Sequence, residues 1–163
     1  MEMLDLSRIN SFAPYTVELR DDAYHFVTDD GIHIAIEFLP ERNFQFNGYW
    51  LGLINLDRKP SLRDENIKLT VFCIVEEFFR QNAEFLLFIC DTANSKQAAR
   101  NRLFLYWFST FEHKEGFCIR NRMLLNEGQE DYLSLIISKS HPQFEDIIQY
   151  FDDVVQMFKE NKP

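Results

Sequence analysis

Lys96 and Arg100 stand four residues apart in this chain, and Arg120 and Arg122 stand two apart. On a helix the first spacing puts both cations on one face. On a strand the second spacing does the same, because side chains there alternate with period two. Arginines on a shared face hold a carboxylate or phosphate through paired hydrogen bonds. Asn94 and Ser95 follow the apolar run that ends at Cys90. They add polar groups where loops present sites in sheet-and-helix folds. Asn94, Ser95, Lys96, Arg100, Arg120 and Arg122 are therefore the candidate ligand-binding residues. The expected ligand is an anionic small molecule or an acidic protein surface.

The distribution of charge makes this segment distinctive. Thr92 to Asn126 holds six cations and two acids, a net of +4. The remainder holds eleven cations and twenty-four acids, a net of -13, so the whole chain stands at -9. A duplex-DNA binder needs a cationic face for phosphates, and the acidic remainder would repel one. The competing reading is intramolecular: the cations pair with the chain's own acids. Exposed pairs contribute only about 0–1 kcal/mol each, so stability alone is a weak reason to segregate charge. The cations also occupy the first half of the expected helix, where the helix dipole favours acids.

Other reactive residue types lack a catalytic pattern. His25 and His33 face the same way across an expected hairpin with Glu37 beside them, and diagonal neighbours could share a metal ion. No His-Glu-x-x-His or Cys-x-x-Cys supports this, so neither metal nor cofactor is expected. Cys73, Cys90 and Cys118 have bulky apolar neighbours and are read as reduced, buried thiols. His113 and His141 fall near element ends. Glu76-Glu77 and Asp152-Asp153 are read as solvated helix faces. No Gly-x-Ser-x-Gly or Walker-type loop occurs, so no catalytic residue is assigned.

The elements that must position these groups follow from periodicity. Residues 1–13 form a lead-in with one short helical turn. "YTVEL" and "AYHFVT" alternate as strands around a two-residue turn at Asp21-Asp22, which sets Leu19 opposite Tyr24. A three-residue loop, with Gly31 left-handed, then puts Ile32, Ile34 and Ile36 opposite Thr28, Phe26 and Tyr24. "NFQFNGYWLGLINL" is a fourth strand. A helix begins near Ser61 or Asp64 with the stripe Ile67, Val71, Ile74, Val75 and Phe78. "EFLLFICD" reads as a strand buried on both faces. A helix over about 95–111 follows, with Phe104, Trp107, Phe108 and Phe111 as its buried face. "FCIRNRMLL" and "DYLSLIIS" are strands joined around Gly128. Pro142 starts a last helix with the stripe Phe144, Ile147, Ile148, Phe151, Val154, Val155 and Phe158.

The order ββββ-α-β-α-ββ-α predicts an α+β fold, a mostly antiparallel sheet packed with helices. A single domain over 1–163 is expected, since a chain of this size buries roughly 70% of its unfolded surface. Its 46% apolar residues, 17 of them Phe, supply the core. "MEMLDLSRIN" carries acids where a signal peptide would carry cations. "FLLFIC" is far shorter than the ~20 residues of a membrane helix. Cytoplasmic location and no membrane partner are the expectation.

The meander, helix, strand, helix and strand pair over about 15–138 resemble the core of the GNAT N-acetyltransferases. Asn94, Ala98, Ala99, Leu105 and Tyr106 resemble that family's Asn-Ala-Leu-Tyr pattern. The resemblance implies an acyl-coenzyme A-dependent N-acyltransferase, with a glycine-rich loop cradling the pyrophosphate. Here that place reads "NLDRKPSLRDEN", which has no glycine, and Pro60 has no N–H to donate. Coenzyme A binding is therefore not expected. The stretch "CDTANSKQAARNRLFLYWF", with the strand and helix before it, also resembles an uncharacterised family of small bacterial proteins. That likeness implies no activity. The expected function is a small non-catalytic binding domain.

Overall fold

A computed structural model describes residues 1–59, 64–90 and 97–160. Their order is α-ββββ-α-β-α-ββ-α, the α+β class with mostly antiparallel strand pairs. The chain divides into two compact units, Met1–Glu41 with Tyr49–Ala83, and Arg42–Gly48 with Glu84–Pro163.

In the first unit, α1 (Leu6–Phe12) precedes β1 (Glu18–Arg20), β2 (Ala23–Val27), β3 (His33–Glu41) and β4 (Gly48–Asn55, of which Gly48 itself belongs to the second unit), and α2 spans Glu65–Gln81. The two turns obey local chemistry. Asp21 and Asp22 both take positive φ, the tight turn that matches strand twist, and Leu19 pairs with Tyr24. Gly31 has φ +81, and the Thr28 N–H donates to the Ile32 carbonyl at 2.9 Å. This closes the three-residue loop and sets Ile34 against Phe26 and Ile36 against Tyr24. All four side chains are buried. β3 and β4 run in opposite senses: Leu56 N–H donates to His33 O, while Gly52 lies against Glu37.

Asp64 caps α2 by accepting from the Asn66 N–H at 2.8 Å. Ile67, Val71, Ile74 and Phe78 are buried along one stripe, with Phe78 stacked on Phe38. Ser61 lies outside the described residues. Glu77 departs from the expected solvated face. It is buried, paired with Arg8 of α1 at 3.2 Å and with Arg80, so a charged clamp holds the short α1 against α2. Seven residues cannot sustain a helix unaided, and the clamp explains why this one persists.

In the second unit, β5 (Phe85–Ile89), α3 (Gln97–Ser109), β6 (Phe117–Asn126), β7 (Gln129–Ser138) and α4 (Phe144–Glu160) follow in order. β7 lies between β5 and β6 and is antiparallel to both. Glu127 and Gly128 form a two-residue turn with both φ positive, so β6 and β7 run further toward it than expected. Phe85, Leu86 and Leu87 are completely buried on alternating faces, as the apolar run implied. Trp107 of α3 is buried at 7% exposure, and Phe104 stacks on Phe88 with centroids 4.5 Å apart. Phe108 and Phe111 are half-buried near Phe117. α3 stops at Ser109 rather than Phe111, where the Ser109 and Thr110 hydroxyls donate to the carbonyls of Tyr106 and Trp107. On α4, Ile147, Ile148, Phe151 and Val155 are buried, but Phe158, expected on the same stripe, is 56% exposed.

Two outcomes test this packing. Trp107→Ala should lower unfolding stability by about 3–5 kcal/mol in denaturant titration. Gly48 lies against the Phe85 ring, leaving no room for a Cβ. Gly48→Ala should therefore cost about 1–3 kcal/mol by overpacking.

Candidate anion-binding site

The register of β6 on β7 sorts the candidate residues. Asn121 pairs with Ser134, whereas Arg120 and Arg122 pair with Leu135 and Leu133. Neighbours along a strand point to opposite faces. Asn121 therefore faces α3, where its side chain meets Asn101, and the two arginines face α4, where both meet Asp152. Arg100 lies on α3, one residue before Asn101 and close enough to Cys90 for its charge to be felt there. Arg100 is thus not brought together with Arg120 and Arg122. Asn94, Ser95 and Lys96 lie outside the described residues.

Arg122 Nη2 lies 3.4 Å from Asp152 Oδ1, and Arg120 Nη2 lies 3.9 Å from Oδ2. The side chains are 34%, 39% and 33% exposed for Arg122, Arg120 and Asp152. One carboxylate thus serves two guanidiniums at long range. Arg120 Nε is buried without a hydrogen-bond partner, and so is Oδ1 of Asp131 on the same sheet face. Asp152 was expected on a solvated face. It instead neutralises half of the arginine charge, a role visible only once α4 packs on β6. A net positive charge remains on the three groups, with guanidinium N–H capacity unspent. Such a pair is chemically fit to hold a carboxylate or phosphate.

On the opposite face, sequence reasoning missed a polar cluster. Asn101 Nδ2 donates to Asn121 Oδ1 at 3.2 Å, and Asn121 Nδ2 donates to Asn101 Oδ1 at 2.7 Å and to Ser134 Oγ at 2.7 Å. Asn101 and Ser134 are buried. The signal was present: Asn101 shares the helical stripe of Phe104 and Phe108, and Asn121 alternates with Ile119 and Met123. Cys90 sits beside this cluster, its Sγ 4.0 Å from Asn101 Oδ1. Burial pushes the Cys90 thiol up to about 11, against a smaller lowering by Arg100. The thiol is protonated at neutral pH and unsuited to nucleophilic attack. Cys73 and Cys118 are half-buried rather than buried, and all three cysteines are free.

A proton held to about 11 instead of the ordinary 9 leaves roughly 100-fold less thiolate at pH 8. Cys90 should therefore resist a disulfide-exchange reagent in the native protein and react at the ordinary rate in denaturant. Asn121→Ala should cost about 1–3 kcal/mol, because it leaves the buried Asn101 amide unpaired. A double-mutant cycle with Asn101→Ala should show strong coupling between the two.

No described helix is long and apolar enough to cross a membrane. No curated protein matches the chain, and no solved structure does. One family model matches residues 63–153, a span that includes α2, β5, α3, the β6–β7 hairpin and both arginines with Asp152. That match covers more than half of the chain, which therefore belongs to DUF6169, a family of unknown function.

Proposed function

We propose that this protein is a small non-catalytic binding domain of the bacterial cytosol. Its ligand is an anionic small molecule or an acidic protein surface, held by Arg120 and Arg122. The observation that carries this reading is the shared, long-range pairing of two arginines with the single carboxylate of Asp152. Pairs this exposed contribute only about 0–1 kcal/mol each. A bidentate carboxylate or phosphate would compete well with Asp152 for the guanidiniums. Arg100 on α3 would offer a separate, second contact; Asn94, Ser95 and Lys96, grouped with it by sequence, lie outside the described residues. Segregation of +4 net charge into Thr92–Asn126 supports an anionic partner, and the acidic remainder disfavours duplex DNA.

A second reading, an acyltransferase of GNAT-like topology with an atypical cofactor loop, is favoured by the element order. Strands β2–β4, then α2, β5, α3, β6 and β7, follow the succession that the resemblance implies. The loop over 55–66 argues against it through its lack of glycine.

Titration with inorganic pyrophosphate and with poly-L-glutamate tests the first reading. The wild type should bind at least one of them, more weakly as salt rises. Arg120→Gln with Arg122→Gln should keep the fold, because it places no like charge beside Asp152, and should lose the binding. Asp152→Asn should bind several-fold more tightly, since it removes the internal competitor. Absence of binding by the wild type, or unfolding of the double variant, would show that the arginines serve internal pairing. Thermal stabilisation by acetyl-coenzyme A, about 2.7 kcal/mol at 100 times the dissociation constant, would move the assignment to the second reading.

A further inference from the structure

We propose that His25 and His33 form a binding site for a divalent transition-metal ion that prefers nitrogen ligands. The site belongs to the first unit and is independent of the arginine pair.

Its frame is the β2–β3 ladder. His25 pairs with Ala35 and Val27 with His33, so the two histidines are diagonal neighbours on one face. The alternate residues Tyr24, Phe26, Ile34 and Ile36 are buried on the other face. That burial holds the register and hence the spacing of the imidazoles. His33 is anchored further: its N–H donates to Asp57 Oδ2 at 2.6 Å and its carbonyl accepts from the Leu56 N–H at 2.9 Å.

The imidazoles converge. His25 Nδ1 lies 2.9 Å from His33 Nε2, with ring centroids 5.0 Å apart. His25 Nε2 lies 3.2 Å from the Arg20 carbonyl oxygen. A carbonyl only accepts, which assigns the hydrogen of His25 to Nε2 and leaves a lone pair on Nδ1. A backbone carbonyl on the outer ring nitrogen is the arrangement that orients metal-bound imidazoles. Without metal, His33 donates its Nε2 hydrogen to His25 Nδ1. Moving that hydrogen to His33 Nδ1 leaves a lone pair on each of the two facing nitrogens, with no net change in protons for the neutral pair. Metal–nitrogen bonds of about 2.0–2.1 Å hold two adjacent donors roughly 2.9–3.4 Å apart, so the nitrogens already stand at a fitting separation and a tilt of the rings would complete the site.

Among the described residues no third histidine, cysteine or carboxylate completes a cluster. Glu37 shares the face, but its side chain lies against Gly52 of β4. Water would occupy the remaining positions, leaving an open, exchangeable site. Imidazole ligands select zinc, nickel and copper over magnesium and calcium, which prefer oxygen. The chain's charge of -9 favours cation approach.

Calorimetric titration of the intact protein with zinc chloride and nickel chloride at pH 7.5, with magnesium chloride as control, tests the site. One equivalent of zinc or nickel should bind, and magnesium should not. His25→Gln and His33→Gln should each weaken it at least tenfold while circular dichroism stays unchanged. In the wild type, substoichiometric nickel should broaden the imidazole signals of these two histidines before those of His113 and His141, a readout that needs no variant. Failure to bind, binding kept in both variants, or first broadening at His113 or His141 would overturn the proposal. The pair would then be a proton-sharing contact alone.

Discussion

The antiparallel ladder from Phe117↔Ser138 to Asn126↔Gln129 is the constraint on which the second unit depends. Because side chains alternate along it, each rung assigns one residue to α3 and the next to α4. The apolar members, Ile136 toward one helix and Leu135 and Ile137 toward the other, are buried and cannot change sides without exposing the core. Slipping by one residue would bury Arg120 and Arg122 against the α3 aromatics. The arginine geometry is thus a consequence of core packing, and the turn at Glu127–Gly128 sets its phase.

That alternation gives the hairpin two chemically different faces. Toward α3 it presents amides, a hydroxyl and aromatic rings, all mutually satisfied, beside a thiol that burial keeps protonated. Buried amides that bond each other specify one alignment of helix on sheet, since any shift leaves donors unpaired. Toward α4 it presents two guanidiniums for one carboxylate. The contrast separates a polar group that holds the fold from one with bonding capacity to spare. The first unit has a comparable division. Glu77 is enclosed between Arg8 and Arg80, while the paired histidines sit on the outer face of a hairpin whose inner face is packed.

Sequence periodicity determined much about this protein. The hairpin registers at Asp21-Asp22 and Gly31, the buried stripe of α2, the doubly buried β5 and the succession of elements were all legible, because they depend on contacts short in sequence or on the alternation of apolar residues. The acidic remainder and the basic segment were legible too, because charge is read directly from residue type. What spacing could not supply is which element covers which face. Lys96, Arg100, Arg120 and Arg122 looked like one set because their elements are neighbours in the chain. Tertiary packing set Arg100 on the helix over one side of the sheet and turned Arg120 and Arg122 to the other, toward a carboxylate thirty residues further on. It likewise made Asp152 and Glu77 partners of arginines, although their neighbours in sequence mark them as solvated. A charge pair or a buried amide pair between distant segments leaves no periodic trace, since either partner alone is compatible with solvent. Only the meeting of surfaces already shaped by the hydrophobic core decides it.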